Sequence, residues 1–210
     1  MSSPARAERA ALCDLFVEVG PDAPTLCGTW TTRDLAAHLV VRERRPDAAA
    51  GIVSRFLASH GEQVRIEEAE RPWAEIVERV RSGPPVWSPM RLEPVDTLAN
   101  SVEFFVHHED VRRAGSAWTV RPLEAALEEA LATMIRRGGG MLTRKANVGI
   151  VVHADGHAPA TLRKGAPPVT ISGPVGECVL YVYGRKGVAE VVLDGPPDAV
   201  AAVAAAPFGI

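Results

Sequence analysis

The sequence predicts an α+β protein in which a bundle of helices is followed by a small domain of mixed helices and strands. Apolar residues recur at helical spacing through the first two-thirds of the 210-residue chain. After about residue 145, short runs rich in β-branched residues replace that pattern. Gly138-Gly139-Gly140 stands between the two regions, and consecutive glycines indicate a hinge. We therefore expect a helical bundle in 1–140 and a small α+β domain in 145–210.

The helices of the bundle are delimited by start and stop signals. Gly20 ends the first amphipathic segment. Thr31 followed by Asp34 is similar to a capping box, which usually has Glu or Gln at the second position, and Pro46 ends the helix that they open. Pro72 is placed to start a further helix. The predicted helices cover 4–19, 31–45, 47–59, 73–81, 95–114 and 122–138.

The small domain alternates short strands with short helices. Asp155-Gly156 predicts a hairpin turn between its first two strands. Pro174 and Pro197 mark the starts of its two helices. The predicted strands cover 148–153, 160–163, 169–172 and 188–193, and the predicted helices cover 174–183 and 197–206.

Composition and charge argue against several classes of protein. The chain has 23 Lys and Arg against 26 Asp and Glu, and this net charge of −3 disfavours a nucleic-acid binder, which needs a basic surface. No apolar run reaches the ~18–20 residues of a membrane span, and the N-terminal residues lack an apolar signal segment. We therefore expect a cytoplasmic protein with no membrane partner. The cysteines, Cys13, Cys27 and Cys178, are odd in number and widely spaced, which argues against a disulfide framework.

Glu103 and His107 form the core of a candidate metal site. Their i, i+4 spacing in a predicted helix places a carboxylate and an imidazole on one face, where both can bind one divalent cation. His38 lies beside Leu39 and three residues after Leu35 on another predicted helix, so it points at least partly inward. Packing of the two helices would bring three ligands together and leave a coordination position open, as in catalytic zinc sites. A buried ion pair and a core histidine explain the same residues more plainly, and both alternatives stay open.

Two further residues are candidates for a functional role. Asp110 follows His107 by three residues and could accept the free N–H of that imidazole, which would fix its tautomer; pairing with a nearby arginine is the alternative. Arg185 follows a predicted helix of the small domain. Its guanidinium suits an anion clamp, or it could simply complement the helix dipole.

The remaining histidines are weaker candidates. His153 and His157 have the same i, i+4 spacing, but they flank a predicted turn and lack a third ligand and supporting contacts. His60 and His108 are predicted to lie on the surface. We therefore leave these four residues out of the candidate site.

Three segments resemble the mycothiol-dependent maleylpyruvate isomerase-like proteins, a family within the DinB-like group of metal-binding four-helix bundles. Residues 30–39, Trp-Thr-Thr-Arg-Asp-Leu-Ala-Ala-His-Leu, resemble the first metal motif of that family. Residues 103–110 resemble its second motif, in the His-His-Glu-Asp form of a subgroup described only as metal-binding. Residues 173–195 resemble the small sterol-carrier-like α+β domain that follows the bundle in that family.

The resemblance implies a DinB-like four-helix bundle with a divalent metal, usually zinc, on His38, Glu103 and His107. It also implies mycothiol as the cosubstrate, held in part by Arg185. We expect the metal to activate this thiol for attack on a small electrophilic substrate in a transferase or isomerase reaction. Arg185, from the resemblance, and Asp110, from its spacing to His107, are the candidate catalytic residues. Two alternatives remain: a hydrolase that uses metal-activated water, and a non-catalytic metal-binding protein. We expect a monomer or a homodimer.

Overall fold

The computed structural model describes residues 3–48, 58–86, 100–115 and 117–209, and the chain divides into two compact units. The first unit, Met1–Val120, is helical among its described residues. Helix α1 packs against α4 and α5, and α2 packs against α3 and α4. The helices are α1 (Pro4–Val19), α2 (Thr32–Arg44), α3 (Ala58–Ala69), α4 (Trp73–Arg81) and α5 (Ser101–Arg112).

The core of the first unit is built from apolar residues at helical spacing. Leu12 and Phe16 of α1, Leu35 and Leu39 of α2, and Phe104 of α5 are completely buried in one cluster. Each i, i+4 pair puts two side chains on the same face of its helix, and burial of one such side chain contributes about 1.5–3 kcal/mol. This cluster therefore holds in place α2 and α5, the two helices that carry the candidate site.

A buried ion pair joins α1 to the end of α2. The Arg9 guanidinium binds both carboxylate oxygens of Glu43, from Nη1 to Oε2 at 2.7 Å and from Nη2 to Oε1 at 2.5 Å. Nη1 also donates to the Val80 carbonyl oxygen at 2.8 Å, and the guanidinium lies 4.2 Å from the Phe104 ring centroid. The Arg9 and Glu43 side chains are only 7% and 1% exposed. Both charges are thus compensated inside the protein, where an unpaired charge would be strongly destabilising.

The second unit, Arg121–Ile210, combines three helices with one sheet. The sheet has the order β2-β1-β3-β4, in which β1 is antiparallel to β2 and parallel to β3, and β3 is antiparallel to β4. Helix α6 packs against β2 and α7. The elements are α6 (Ala125–Leu142), β1 (Gly149–Ala154), β2 (Ala160–Arg163), β3 (Pro168–Gly173), α7 (Val175–Val182), β4 (Val192–Asp194) and α8 (Pro197–Ala205).

The structure confirms an α+β protein with a helical N-terminal region and a small sheet. The bounds of α1, α4 and β2 agree with the predicted segments, whereas residues 49–57 of the predicted helix 47–59 and residues 95–99 of the predicted helix 95–114 lie outside the described residues. Strand β4 is shorter than predicted, because the Glu190 N–H donates to Glu177 Oε2 at 2.8 Å instead of to a neighbouring strand. Within the described parts of the chain, every helix is too short or too polar to cross a membrane.

The hinge predicted at Gly138-Gly139-Gly140 is wrong, because all three glycines lie inside α6. Gly139 and Gly140 let the helix approach β2 closely: a Cβ at position 139 would lie 2.8 Å from Leu162 Cδ2, and one at position 140 would lie 2.9 Å from the Leu162 carbonyl oxygen. These two glycines therefore serve packing. The two compact units divide before α6, and the assignment of functional domains to 1–140 and 145–210 stays a prediction.

Candidate metal centre

Helices α2 and α5 bring together the three residues predicted to bind a metal. Glu103 Oε1 lies 3.4 Å from His38 Nε2 and 3.3 Å from His107 Nε2. One ligand atom from each residue falls within 4.8 Å of the other two, and the two imidazole rings are 5.5 Å apart at an angle of 74°. Their side chains are 11–21% exposed, so solvent reaches the cluster.

The position of His38 follows from the way α2 begins. Thr31 and Asp34 form the predicted capping box, in which the Thr31 N–H donates to Asp34 Oδ2 at 3.0 Å. Arg65 of α3 donates to the second oxygen of Asp34 at 2.6 Å. One turn after this cap, the His38 ring packs against the Trp30 ring with centroids 5.3 Å apart. The start of α2 therefore limits the rotation of the His38 imidazole.

Asp110 contacts the second nitrogen of the His107 ring. Its Oδ2 lies 2.9 Å from His107 Nδ1, and Asp110 is completely buried. Because an ionised carboxylate only accepts hydrogen bonds, this contact places a proton on Nδ1 and directs Nε2 to the cluster. The spacing of the two residues in the sequence predicted this contact.

Two side chains beside the cluster were not expected from the sequence. Arg42 Nε lies 3.3 Å from Glu103 Oε1. Arg42 follows His38 by one helical turn, so the i, i+4 spacing was an available signal. Cys27 donates its S–H to Asp110 Oδ2 at 3.1 Å, with its Sγ 3.8 Å from His107 Nδ1. Cys27 lies in a loop, and no sequence pattern links it to α5.

Charges and burial shift the pKa values of the three predicted ligands. Burial raises the pKa of the Glu103 carboxyl, but the charge of Arg42 and hydrogen bonds from His107 and His38 outweigh burial and hold that pKa well below 4.5. Burial lowers the pKa of His107, but Asp110, Cys27 and Glu103 outweigh it and hold that pKa well above 6.5. Burial dominates at His38 and lowers its pKa, although Glu103 opposes the shift. His38 is therefore a neutral ligand at neutral pH, whereas His107 must lose a proton when a cation binds.

Arg185, the remaining candidate, belongs to the second unit. It follows α7, where its Nη1 donates to the Tyr183 carbonyl oxygen at 2.8 Å. That contact neither supports nor contradicts an anion clamp, so the role of Arg185 stays a prediction.

The surface prediction for His108 is wrong. His108 is buried, with its Nδ1 3.1 Å from Glu8 Oε2, because α1 packs directly over that face of α5. His60 is exposed and contacts Asp47 at 3.1 Å. His153 is exposed, and His157 lies 3.7 Å from Glu129.

The donor set of the cluster fits a divalent metal ion. Two imidazole nitrogens and one carboxylate oxygen are a ligand set found in catalytic zinc sites, and a carboxylate behind one imidazole is the usual support of a ligating histidine. Fold and site together define an α+β protein whose helical unit carries a candidate mononuclear metal site with three protein ligands.

The comparisons with known proteins agree with this class at the level of fold. No protein-family model and no curated protein sequence matches the chain. Two solved structures are similar: the mycothiol-dependent maleylpyruvate isomerase and a variant of that isomerase with a histidine replaced by alanine. Each has a TM-score of 0.58 and 17% sequence identity, and the match covers 91% of this chain and 90% of that chain. At this identity the similarity shows a shared fold.

Proposed function

We propose that the chain is a metal-dependent transferase or isomerase in which a low-molecular-weight thiol, mycothiol or a close analogue, attacks a small electrophile. The observation that carries the proposal is the convergence of His38, Glu103 and His107, whose ligand atoms lie within 4.8 Å of one another. The shared fold supports the choice of thiol, because the similar structures are those of a mycothiol-dependent isomerase.

His38 Nε2, Glu103 Oε1 and His107 Nε2 would hold the ion, for which zinc is the best fit, and its positive charge would lower the pKa of a thiol bound there. Asp110 keeps the proton of His107 on Nδ1, which leaves Nε2 available as a ligand. Glu103 is the only carboxylate among the three proposed ligands, so it does not cancel a divalent charge, and the site favours a thiolate over a neutral thiol. Arg185 would bind a polar or anionic part of the cosubstrate through its guanidinium.

We also propose a finer description of the fold. We assign the helical part to the DinB-like four-helix bundles and the part after residue 145 to the sterol-carrier-like domains. The motif-like segments 30–39 and 103–110 and the TM-score of 0.58 support this assignment.

The test is a thiol-consumption assay with purified, zinc-loaded protein, mycothiol and a set of activated alkenes and epoxides. We expect turnover that requires both metal and thiol, is lost in His38→Ala, and persists in His60→Ala, which removes an exposed histidine outside the cluster. Turnover without any thiol would favour the hydrolase. Full activity in metal-free His38→Ala protein would refute the proposal.

A further inference from the structure

A cavity lies between the first half of α1 and the end of α4. Its volume is about 280 Å³, and its lining includes no residue of the candidate metal centre. Three arginines from the two helices line it, and no described lining residue is acidic: the arginines are Arg6, Arg9 and Arg81. Positive charge is therefore concentrated in a concave site that the proposed thiol chemistry does not use.

Two of these arginines are held in place by carboxylates, yet keep donors for a ligand. Arg9 uses both terminal nitrogens to bind Glu43, and its side chain is only 7% exposed. Arg81 Nη2 donates to Asp14 Oδ1 at 2.8 Å, and the Asp14 side chain is 73% exposed. Because a guanidinium has five N–H donors, these contacts orient the two side chains without exhausting them.

Arg6 is placed at an energetic cost. It is the third residue of α1, whose first turn has no acidic residue, and a positive charge is unfavourable at the N-terminus of a helix. Arg9 follows it by three residues, a spacing at which like charges repel. The Arg6 guanidinium is exposed and has no hydrogen-bond or ion-pair partner within 3–48, 58–86, 100–115 and 117–209. A bound anion would offset both repulsions.

The turn after α4 leaves the cavity open to the buried guanidinium. Gly83 has a φ of +72°, which favours glycine, and a Cβ there would lie 3.5 Å from Arg9 Cζ. No side chain at this position therefore covers Arg9. Arg44 Nη2 donates to Ser82 Oγ and to the Gly83 carbonyl oxygen, both at 2.8 Å. These bonds fix the turn and bring a further positive charge close to the cavity.

The number of guanidinium groups indicates which anion fits. The two carboxylates that pair with lining arginines, Glu43 and Asp14, leave the charge of the third arginine uncompensated. A carboxylate has two oxygens and is satisfied by one guanidinium fork, whereas a phosphate group has three terminal oxygens and carries about −1.5 to −2 charges at pH 7. Several converging arginines therefore suit phosphate. The volume is close to the lower end of ligand pockets, roughly 300–1,000 Å³, so the ligand is small.

We propose that this cavity binds a phosphate group, either of a small phosphorylated molecule or as the free ion, with Arg6, Arg9 and Arg81 as its donors. The inference does not rest on the proposed thiol-dependent reaction, because it involves neither the metal nor the thiol.

The experiment is calorimetric titration of full-length, zinc-loaded protein, freed of excess zinc, with glycerol 3-phosphate, inorganic phosphate and uncharged glycerol. We expect Arg6→Gln and Arg81→Gln each to weaken phosphate binding about tenfold, the usual effect of a lost charged hydrogen bond. Asp14→Asn should strengthen it severalfold, because it removes the negative charge that competes for Arg81. Such a gain cannot come from damage to the fold. Arg9 is left unchanged, because it binds the buried Glu43 carboxylate.

Two control variants keep the cavity intact. Arg45→Gln removes another arginine of the same unit, which is 46% exposed and pairs with Asp47 outside the cavity. His38→Ala alters the candidate metal centre. Both should bind phosphate as the wild type does, and glycerol should bind to none of the proteins.

Four results would overturn the inference: no binding of either phosphate compound to the wild type, unchanged affinity in both Arg6→Gln and Arg81→Gln, an equal loss in Arg45→Gln, or loss of binding in His38→Ala. Tighter binding of glycerol 3-phosphate than of inorganic phosphate would assign the site to a phosphorylated molecule. Equal or tighter binding of inorganic phosphate would assign it to the free ion.

Discussion

Replacement of Asp110 is expected to weaken metal binding although Asp110 is not a proposed ligand. The buried carboxylate lies 2.9 Å from His107 Nδ1, a distance typical of a charge-assisted hydrogen bond. Asparagine can still accept from Nδ1, but without the charge, and a charged bond is roughly twice as strong as a neutral one. A neutral bond contributes about 1 kcal/mol, so Asp110→Asn should lose about 1 kcal/mol, or roughly fivefold in affinity.

Asp110→Ala removes the whole contact and should cost about 2 kcal/mol, or roughly thirtyfold, within the range observed for carboxylates that support ligating histidines. The assay is competition for zinc with a chelating dye, with unfolding monitored in parallel. Asp14→Asn is the control, since Asp14 is 73% exposed and pairs only with Arg81 among its described neighbours.

The loss of zinc affinity on replacement of Asp110 should depend on pH, and the shifted pKa of His107 determines the direction of that dependence. Asp110 helps to hold the pKa of His107 well above its ordinary value, so at neutral pH a metal ion must displace a proton from His107. Removal of Asp110 lowers that pKa and reduces the competition. The loss of zinc affinity in the Asp110 variants should therefore be largest at alkaline pH, where no proton competes with the metal ion for His107. The difference in zinc affinity from the wild type should become smaller toward neutral pH. Equal zinc affinity of the wild type and Asp110→Ala at alkaline pH would refute the proposed support of His107.

Three predictions concern stability. Arg9→Met should destabilise the protein by about 3–5 kcal/mol in chemical denaturation, because the buried Glu43 carboxylate loses both hydrogen bonds from Arg9, and adding Glu43→Leu should restore most of the loss; no recovery in the double variant would contradict this. Asp34→Ala should cost about 1 kcal/mol through the lost cap. Burial raises the pKa of Asp34, but hydrogen bonds from Thr31 and Arg65 outweigh burial, and the pKa is lowered. The difference in Tm between Asp34→Ala and the wild type should therefore have its full size at neutral pH and become smaller as the pH falls below about 3.9. Gly140→Ala should lower Tm, because the new Cβ would lie 2.9 Å from a backbone oxygen. Gly138→Ala should instead keep the helix-propensity gain of about 1 kcal/mol, because its Cβ meets only the flexible end of a methionine side chain. Equal effects at the two positions would contradict the packing role of Gly140.

The sequence predicted the fold class because each unit shows its own apolar periodicity. Helices with clear start and stop residues, such as α1 and α4, were predicted with correct bounds. The glycines of α6 were misinterpreted because glycine signals a break only on average. At positions 139 and 140 the close contact with Leu162 outweighs the low helix propensity of glycine. Leu162 lies in β2, so the sequence around the glycines alone cannot show this contact.

The candidate site was partly predictable for a similar reason. Contacts within one helix, such as His107 with Asp110, follow from spacing alone. The approach of His38 to α5 depends on helix packing, and the sequence could suggest it only through inward-facing neighbours. Cys27 reaches Asp110 because its loop is tied to α5 by a hydrogen bond from the Leu26 N–H to the Asp110 carbonyl oxygen at 3.0 Å. Such a tertiary contact produces no periodic pattern of residues in the sequence.

The number of tightly bound metal ions per chain shows whether His38, Glu103 and His107 form a metal site. Purified protein is loaded with zinc, dialysed and analysed by mass spectrometry, alongside variants in which His38, Glu103 or His107 is replaced by alanine and the control His60→Ala. We predict one tightly bound ion per wild-type and His60→Ala chain and its loss from each of the three cluster variants. Retention of the ion in His38→Ala, or a wild-type protein that binds no ion while folded, would contradict it.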